Sequence, residues 1–224
     1  MARRTKQEAA VTREQLLDAA ERVFRERGVT RASLAEVAAA AGVTRGAVYW
    51  HFKDKADLFG AMVERATLPL DAMLLRADAD ACVDPLATLR ELAIGALTRL
   101  AEDPRTQAVF EVIFHKSELT EELASVAARH DEERCACLSQ VERILAHAAA
   151  IGQLPPDLDT ALATRAMHGY ISGIMREWVL DKKGCDLARV APALADMFIS
   201  GLRSSPPRRA ETVRPRIHPR SMPH

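Results

Sequence analysis

Apolar residues recur along this chain at spacings of three and four, in blocks separated by glycine, proline and capping residues. The first block is Leu16, Leu17, Ala20, Val23 and Phe24, one face of a helix that stops where Gly28 supplies a left-handed residue. Upstream, Thr12 and Gln15 stand at capping-box spacing, so this helix is expected to begin near Thr12 and run to Arg27. Ser33 and Glu36 repeat the device ahead of Leu34, Val37, Ala38 and Ala41, and Gly42 closes that second stripe. Thr44 then caps a third helix, whose Val48 and Phe52, with Val43 before it, point back at the second. Gly42, Val43 and Thr44 are thus a three-residue turn between two short helices, the sequence form of a helix-turn-helix. Isolated helices this short are marginal in water, so both require a packed unit around them.

Asp54 and Asp57 open a fourth helix, with Leu58, Met62, Leu70, Met73 and Leu74 on its apolar side, that is expected to run towards residue 79. At 1.5 Å per residue such a helix spans about 37 Å, long enough to tie one end of the molecule to the other, and Pro69 should kink it. Asp84 before Pro85 and Asp103 before Pro104 are helix starts, predicting helices over 85–102 and 104–114. A longer pattern over 118–150 ends at Gly152 and the pair Pro155 and Pro156, and two more helices follow over 159–180 and 187–202. The prediction is an all-α chain of about nine helices: a three-helix head, a long connecting helix and a helical body. The division expected is 1–56 for the head, 57–203 for the body and 204–224 for a disordered tail rich in Pro and Arg.

Composition agrees with helices: aromatics are 4% of 224 residues while apolar residues are 48%, a core of small and branched aliphatic side chains. Net charge is zero overall but unevenly distributed. Residues 1–60 hold 11 Lys and Arg against 8 Asp and Glu, residues 61–202 hold 14 against 22, and residues 203–224 hold 6 against 1. A basic head on an acidic body suits a molecule that meets phosphate at one end. Four scattered cysteines (Cys82, Cys135, Cys137 and Cys185) predict thiols of a reducing cytoplasm, and neither a signal segment nor a membrane span is visible. Cys135 and Cys137 project about 200° apart on a helix and cannot serve one metal ion. No catalytic motif and no phosphate-cradling glycine loop is found, so neither an enzyme nor a cofactor is expected.

The third helix, about 44–52, carries the candidate chemistry. Thr44 and Arg45 lie at its N-terminus, where free amides and the helix dipole favour a phosphate or base acceptor. Gly46 and Ala47 allow close approach to base edges, and Arg45 has the fork geometry for guanine. Tyr49, Trp50 and His51 are too many rings for a small core to hide, so at least two should face outward with groups that donate to phosphate. Lys53 and Lys55 add positive charge on the next turn, and Ser33 marks a second helix start that presents free amides.

Residues 33–38 (SLAEVA) and 41–59 (AGVTRGAVYWHFKDKADLF) closely resemble the N-terminal domain of TetR-family regulators, over about fifty residues from Thr12 to Met62. The resemblance implies that Tyr49 and Lys55 hold phosphates while Thr44, Arg45 and Gly46 face the bases. It also implies a homodimer in which each subunit reads half of a palindromic operator in double-stranded DNA. Residues 3–6 (RRTK), 115–122 (HKSELTEE) and 169–178 (GYISGIMREW) are similar to the repressors of multidrug efflux pumps within that family. This implies a pocket for a small lipophilic or aromatic effector among the central helices, and a dimer interface on the last two.

On that implication the wall is sought where polar groups interrupt apolar stretches. The expected lining is Leu92, Ala96, Phe110, Phe114, Cys137, Val141, His168, Ser172 and Arg176, with His115 a further polar group on the same stretches. The function expected is a cytoplasmic repressor of an efflux operon that its ligand releases from DNA. The rivals are a regulator of a metabolic operon that answers an acyl or aromatic metabolite, and a ligand-binding or catalytic helical protein that does not bind DNA.

Overall fold

The computed structural model describes residues 2–76, 83–115 and 124–209, and its described residues form nine helices with no strand beyond one isolated bridge. They are α1 (Ala2–Arg27), α2 (Leu34–Ala41), α3 (Arg45–His51), α4 (Lys55–Arg76), α5 (Pro85–Glu102), α6 (Pro104–His115), α7 (Ala124–Ala150), α8 (Thr160–Leu180) and α9 (Leu187–Ser204). Asp84, Asp159 and Asp186 cap α5, α8 and α9 by accepting a backbone N–H three residues on. Helix α4 continues through Pro69. The remainder of its expected run, 77–79, and the expected start of α7 near 118 lie outside the described residues.

Two expectations are corrected. Helix α1 begins ten residues before Thr12, whose hydroxyl donates to the Glu8 carbonyl at 3.0 Å from mid-helix and caps nothing. The residues ahead of it, rich in Ala, Glu, Gln and Lys, favour helix more than a threonine favours ending one. At the other end, the solvated tail does not start at 204. Residues 207–209 return along 157–159, where Asp159 N–H donates to Pro207 O at 2.8 Å and Arg208 pairs with Asp157 at 2.7 Å.

The interior has three apolar clusters. The first joins Leu16, Leu17, Phe24, Val37, Val48, Phe52, Leu58 and Met62 of α1–α4, and it also takes in Val109 and Val112 of α6. The second packs α5, α7, α8 and α9 around Leu89, Ile144, Leu145 and Met167. The third sets Leu97 and Leu100 of α5 against Met175 and Val179 of α8, with Phe110 and Phe114 of α6 beside them. Helix α6 therefore belongs to head and body at once. Each fully buried Leu, Val or Phe contributes roughly 1.5–3 kcal/mol, so α2 and α3 are held by the cluster they complete.

An ionic cluster reinforces the same junction. Arg65 of α4 reaches Glu14 at 2.8 Å, Asp18 at 2.9 Å and Glu21, all on one side of α1, while Arg105 in the first turn of α6 reaches Asp18 at 3.1 Å. The side chains of Arg65 and Glu21 are only 12% and 11% exposed, so this is no surface pair. Burial holds the Glu21 carboxyl above its ordinary range even though Arg65 and Arg105 both pull it down.

Arg65→Met should therefore cost roughly 3 kcal/mol, because Glu21 is left buried with Arg105 as its remaining counter-charge. A carboxyl whose pKa is raised on folding opposes the fold only where it is ionised, so the deficit should shrink as pH falls through the carboxylate range. Urea midpoints at about pH 5 and pH 8 measure this. Equal deficits at the two values would exclude Glu21 as the source.

Candidate nucleic-acid interface

The turn that presents α3 is built from backbone chemistry. Ser33 Oγ accepts the Glu36 N–H while the Glu36 carboxylate accepts the Ser33 N–H at 2.9 Å, a complete capping box worth about 1 kcal/mol. Gly42 ends α2 in the left-handed region at φ 69°, and the N–H of Val43 reaches back to Ala38 O at 3.0 Å. That bond reverses the chain, and it needs a residue without a Cβ penalty at 42. Thr44 then starts α3 by accepting the Ala47 N–H at 3.2 Å.

Within α3 the faces separate as expected. Val48 is fully buried and Phe52, its C-cap, nearly so, and both belong to the head cluster. Tyr49 and Trp50 stand in solvent at 49% and 73% exposure. The Arg45 guanidinium donates to Tyr49 Oη at 3.2 Å and lies 5.5 Å from the centre of that ring. His51 is partly buried and meets the Trp50 ring edge-on at 4.7 Å. Burial, with the nearby Arg13 charge, lowers its pKa and favours the neutral imidazole.

Gly46 lies in ordinary helical backbone. A Cβ added there would meet nothing closer than Thr44 Oγ1 at 3.9 Å, so nothing within the chain requires glycine at this position. Glycine in a helix costs up to about 1 kcal/mol relative to alanine.

Lys55 is engaged differently from the expectation. Its Nζ donates to Thr30 O at 2.9 Å and Ala32 O at 3.3 Å, fastening the α1–α2 turn to the start of α4. The Ser33 hydroxyl is likewise committed to its cap, which leaves the backbone N–H groups of the first turn of α2 as what this position can offer a phosphate. One residue the pattern left on the outer side of α1 arrives here as well: the Arg13 guanidinium lies 5.2 Å over the Phe52 ring. Its partner is 39 positions away, and no local signal reports it.

The expected effector wall divides. Leu92 and Val141 pack against the second cluster and Phe110 and Phe114 against the third, while Ala96, Cys137 and Ser172 are half-buried. His168 and Arg176 are on the exposed side of α8 and are corrected: the buried side of that helix runs through Thr160, Ala163, Thr164, Met167 and Met175. Among the described residues four buried side-chain polar atoms make no hydrogen bond: Nε of Arg65 and of Arg99, Nε2 of His115 and Oγ1 of Thr164. Thr164 was missed, although its spacing of three from Met167 and four from Thr160 marks the inner face. A narrow apolar crevice between α5, α8 and α9, lined by Leu89, Ala93, Met167 and Ala195 among others, includes none of the nine expected wall residues.

Residues 16–62 match the model of the tetR family of bacterial regulatory proteins, and residues 84–204 match that of the C-terminal region of MAATS-type transcriptional repressors. The transcriptional regulator TtgR of Pseudomonas putida is 38% identical over 92% of this chain and 98% of its own length. The crystal structure of NalD, the secondary repressor of the MexAB-OprM multidrug efflux pump in Pseudomonas aeruginosa, superposes with a TM-score of 0.80. It is 32% identical and covers 89% of this chain and 99% of its own. The complex of triclosan with SmeT, the repressor of the Stenotrophomonas maltophilia pump SmeDEF, superposes at 0.76. Its identity is again 32%, over 96% of this chain and all of the other.

Proposed function

The chain belongs to the TetR family of bacterial regulatory proteins, and we propose that it represses a multidrug efflux operon until a small lipophilic or aromatic ligand lifts it from its operator. It is a DNA-binding regulator, not an enzyme. It works in the cytoplasm, where operator DNA lies. Among the described residues no helix is long and apolar enough to cross a membrane.

The observation that carries the reading is the outward face of α3. Val48 and Phe52 anchor the helix, which frees Arg45, Gly46, Tyr49 and Trp50 to meet a partner, and the chain has no internal use for Gly46. A duplex uses it, because base edges approach the helix where a Cβ is missing. Thr44, Arg45 and Gly46 face the bases, and Tyr49, Trp50 and His51 grip the backbone. Lys55 and Ser33 hold the turns that aim α3 and present the α2 amides to phosphate. Head and body divide near residue 56, and the docked residues 207–209 belong to the body.

The protein acts as a homodimer on a palindrome. Leu162, Leu180 and Met197 are exposed on α8 and α9, and Gly169, Gly173 and Gly201 have nothing within 4 Å of where a Cβ would stand. A second copy covers that face, and the paired heads read half-sites roughly 34–36 Å apart. Triclosan bound to SmeT supports an effector of that chemistry here. Leu92, Ala96, Phe110, Phe114, Cys137, Val141 and Ser172 wall its pocket, with His115 and Thr164 as polar groups in want of a partner.

A gel shift with DNA upstream of its own gene, repeated with triclosan and cationic dyes, tests this directly. Binding at low salt that pump substrates abolish is the expected result, and no shift at low salt overturns the reading. Gly46→Ala should keep or raise the melting temperature, by up to about 1 kcal/mol of stability, while weakening operator binding at least tenfold. Arg45→Ala should bind but lose base preference, a discrimination of about 1–3 kcal/mol at one position of each half-site, read by competition with base-substituted duplexes. A Gly46→Ala protein that binds normally would put the bases on another face.

A further inference from the structure

Several cations of α1, the α1–α2 turn and α4 are already occupied. Arg27 pairs with Glu36 at 2.8 Å, Arg22 donates to Ala40 O, Arg31 to Arg27 O, and Arg65 is enclosed by three carboxylates. Arg13 is placed otherwise. Its only acidic neighbour among the described ion pairs is Glu14 at 4.0 Å, and the Glu14 carboxylate is taken by Arg65 at 2.8 Å. Its guanidinium is instead fixed over the face of Phe52, the C-cap of α3. The Arg13 side chain remains 43% exposed and lies close enough to His51 to depress that imidazole electrostatically. His51 in turn touches the solvent-facing Trp50.

We propose that Arg13, on α1, is a DNA contact: it binds a backbone phosphate on the flank of the half-site that faces the C-terminal end of α3. The proposal rests on the DNA-binding reading above and adds a residue from outside the helix-turn-helix. Along α3 the Arg45 and Phe52 positions are about 10 Å apart. A base-reading group at one end and a stacked, poorly neutralised arginine at the other bracket the groove. Stacking removes most of the conformational freedom of the side chain before DNA arrives, so little is lost when the phosphate binds. The neutral imidazole beside it donates a hydrogen bond without competing for the same charge.

The test uses full-length protein and two fluorescent duplexes, one from upstream of its gene and one of scrambled sequence, with binding measured over a range of salt concentrations. Arg13→Gln should weaken both duplexes alike, about tenfold near 0.1 M salt. It should also flatten the plot of log affinity against log salt by about 1.8, or 0.9 for each phosphate released by the two subunits. Arg13→Lys should keep the wild-type slope and lose part of the affinity. Lost packing on Phe52 would lower the melting temperature and the active fraction but leave the slope untouched, so the slope decides. An Arg13→Gln slope equal to wild type overturns the assignment of Arg13 alone. A wild-type protein that binds neither duplex overturns the regulator reading and this proposal with it.

Discussion

Helices of eight and seven residues cannot hold themselves in water, and α2 and α3 are of these lengths. Their geometry is therefore borrowed from the cluster they complete, in which Phe24 of α1, Val37 of α2, Val48 of α3 and Leu58 and Met62 of α4 are all fully buried. The capped starts at Ser33 and Thr44 and the left-handed stop at Gly42 settle where each helix begins and ends, but the burial settles whether it exists. With Val48 and Phe52 facing inward, the 3.6-residue period turns Trp50 to the opposite side and Tyr49 to the flank, while Arg45 is exposed because it opens the helix. The recognition surface is in this sense a by-product of the core.

The same cluster blurs the line between head and body. Val109 and Val112 of α6 are buried in it, and Arg105 one turn earlier is tied to Asp18 of α1. Lys55 ties the α1–α2 turn to the start of α4, and Arg65 ties α4 to α1. Helix α1 thus carries α2 and α3 on one side and answers to α4 and α6 on the other. Apolar packing alone would tolerate some sliding along that junction. Charge pairs at 2.8–3.1 Å around the largely buried Arg65, with Asp18 shared between it and Arg105, restrict that sliding.

What was legible in the sequence is what depends on near neighbours. The Ser33 and Glu36 box, the Thr44 cap, the inward Val48 and Phe52 and the helix starts at Pro85 and Pro104 all follow from groups within one turn of each other. The errors fall where a distant partner chooses. Thr12 has the spacing of a cap, but the helix-forming run from Ala2 to Ala10 carries α1 past it. Lys55, read as a phosphate ligand, also meets the carbonyls of Thr30 and Ala32, partners that no local pattern reports. On α8, apolar residues occur on both sides of the helix. Only the packing of α5 and α7 against it shows that Thr164 turns inward while His168 and Arg176 turn out. Resemblance to the family supplied the dimer and the operator, which no periodicity in a single chain contains.

Release from DNA can be argued from this arrangement. An effector that binds among α5 to α8 touches the head only through α4 and α6, since these are the elements whose side chains enter both regions. With α6 embedded in the head cluster, a shift of α6 cannot be absorbed at the junction without exposing Val109 and Val112 or separating Arg105 from Asp18. The cheaper outcome is that α1 follows, and α2 and α3 follow α1, because none of the short helices has stability of its own to lose. In a dimer the two heads move in opposite senses about the symmetry axis, so a displacement of each is doubled in the distance between recognition helices. Half-sites on DNA stay roughly 34–36 Å apart whatever the protein does. The ligand therefore needs only a modest preference for the displaced state, since coupling of about 1–3 kcal/mol changes operator affinity some 5- to 150-fold.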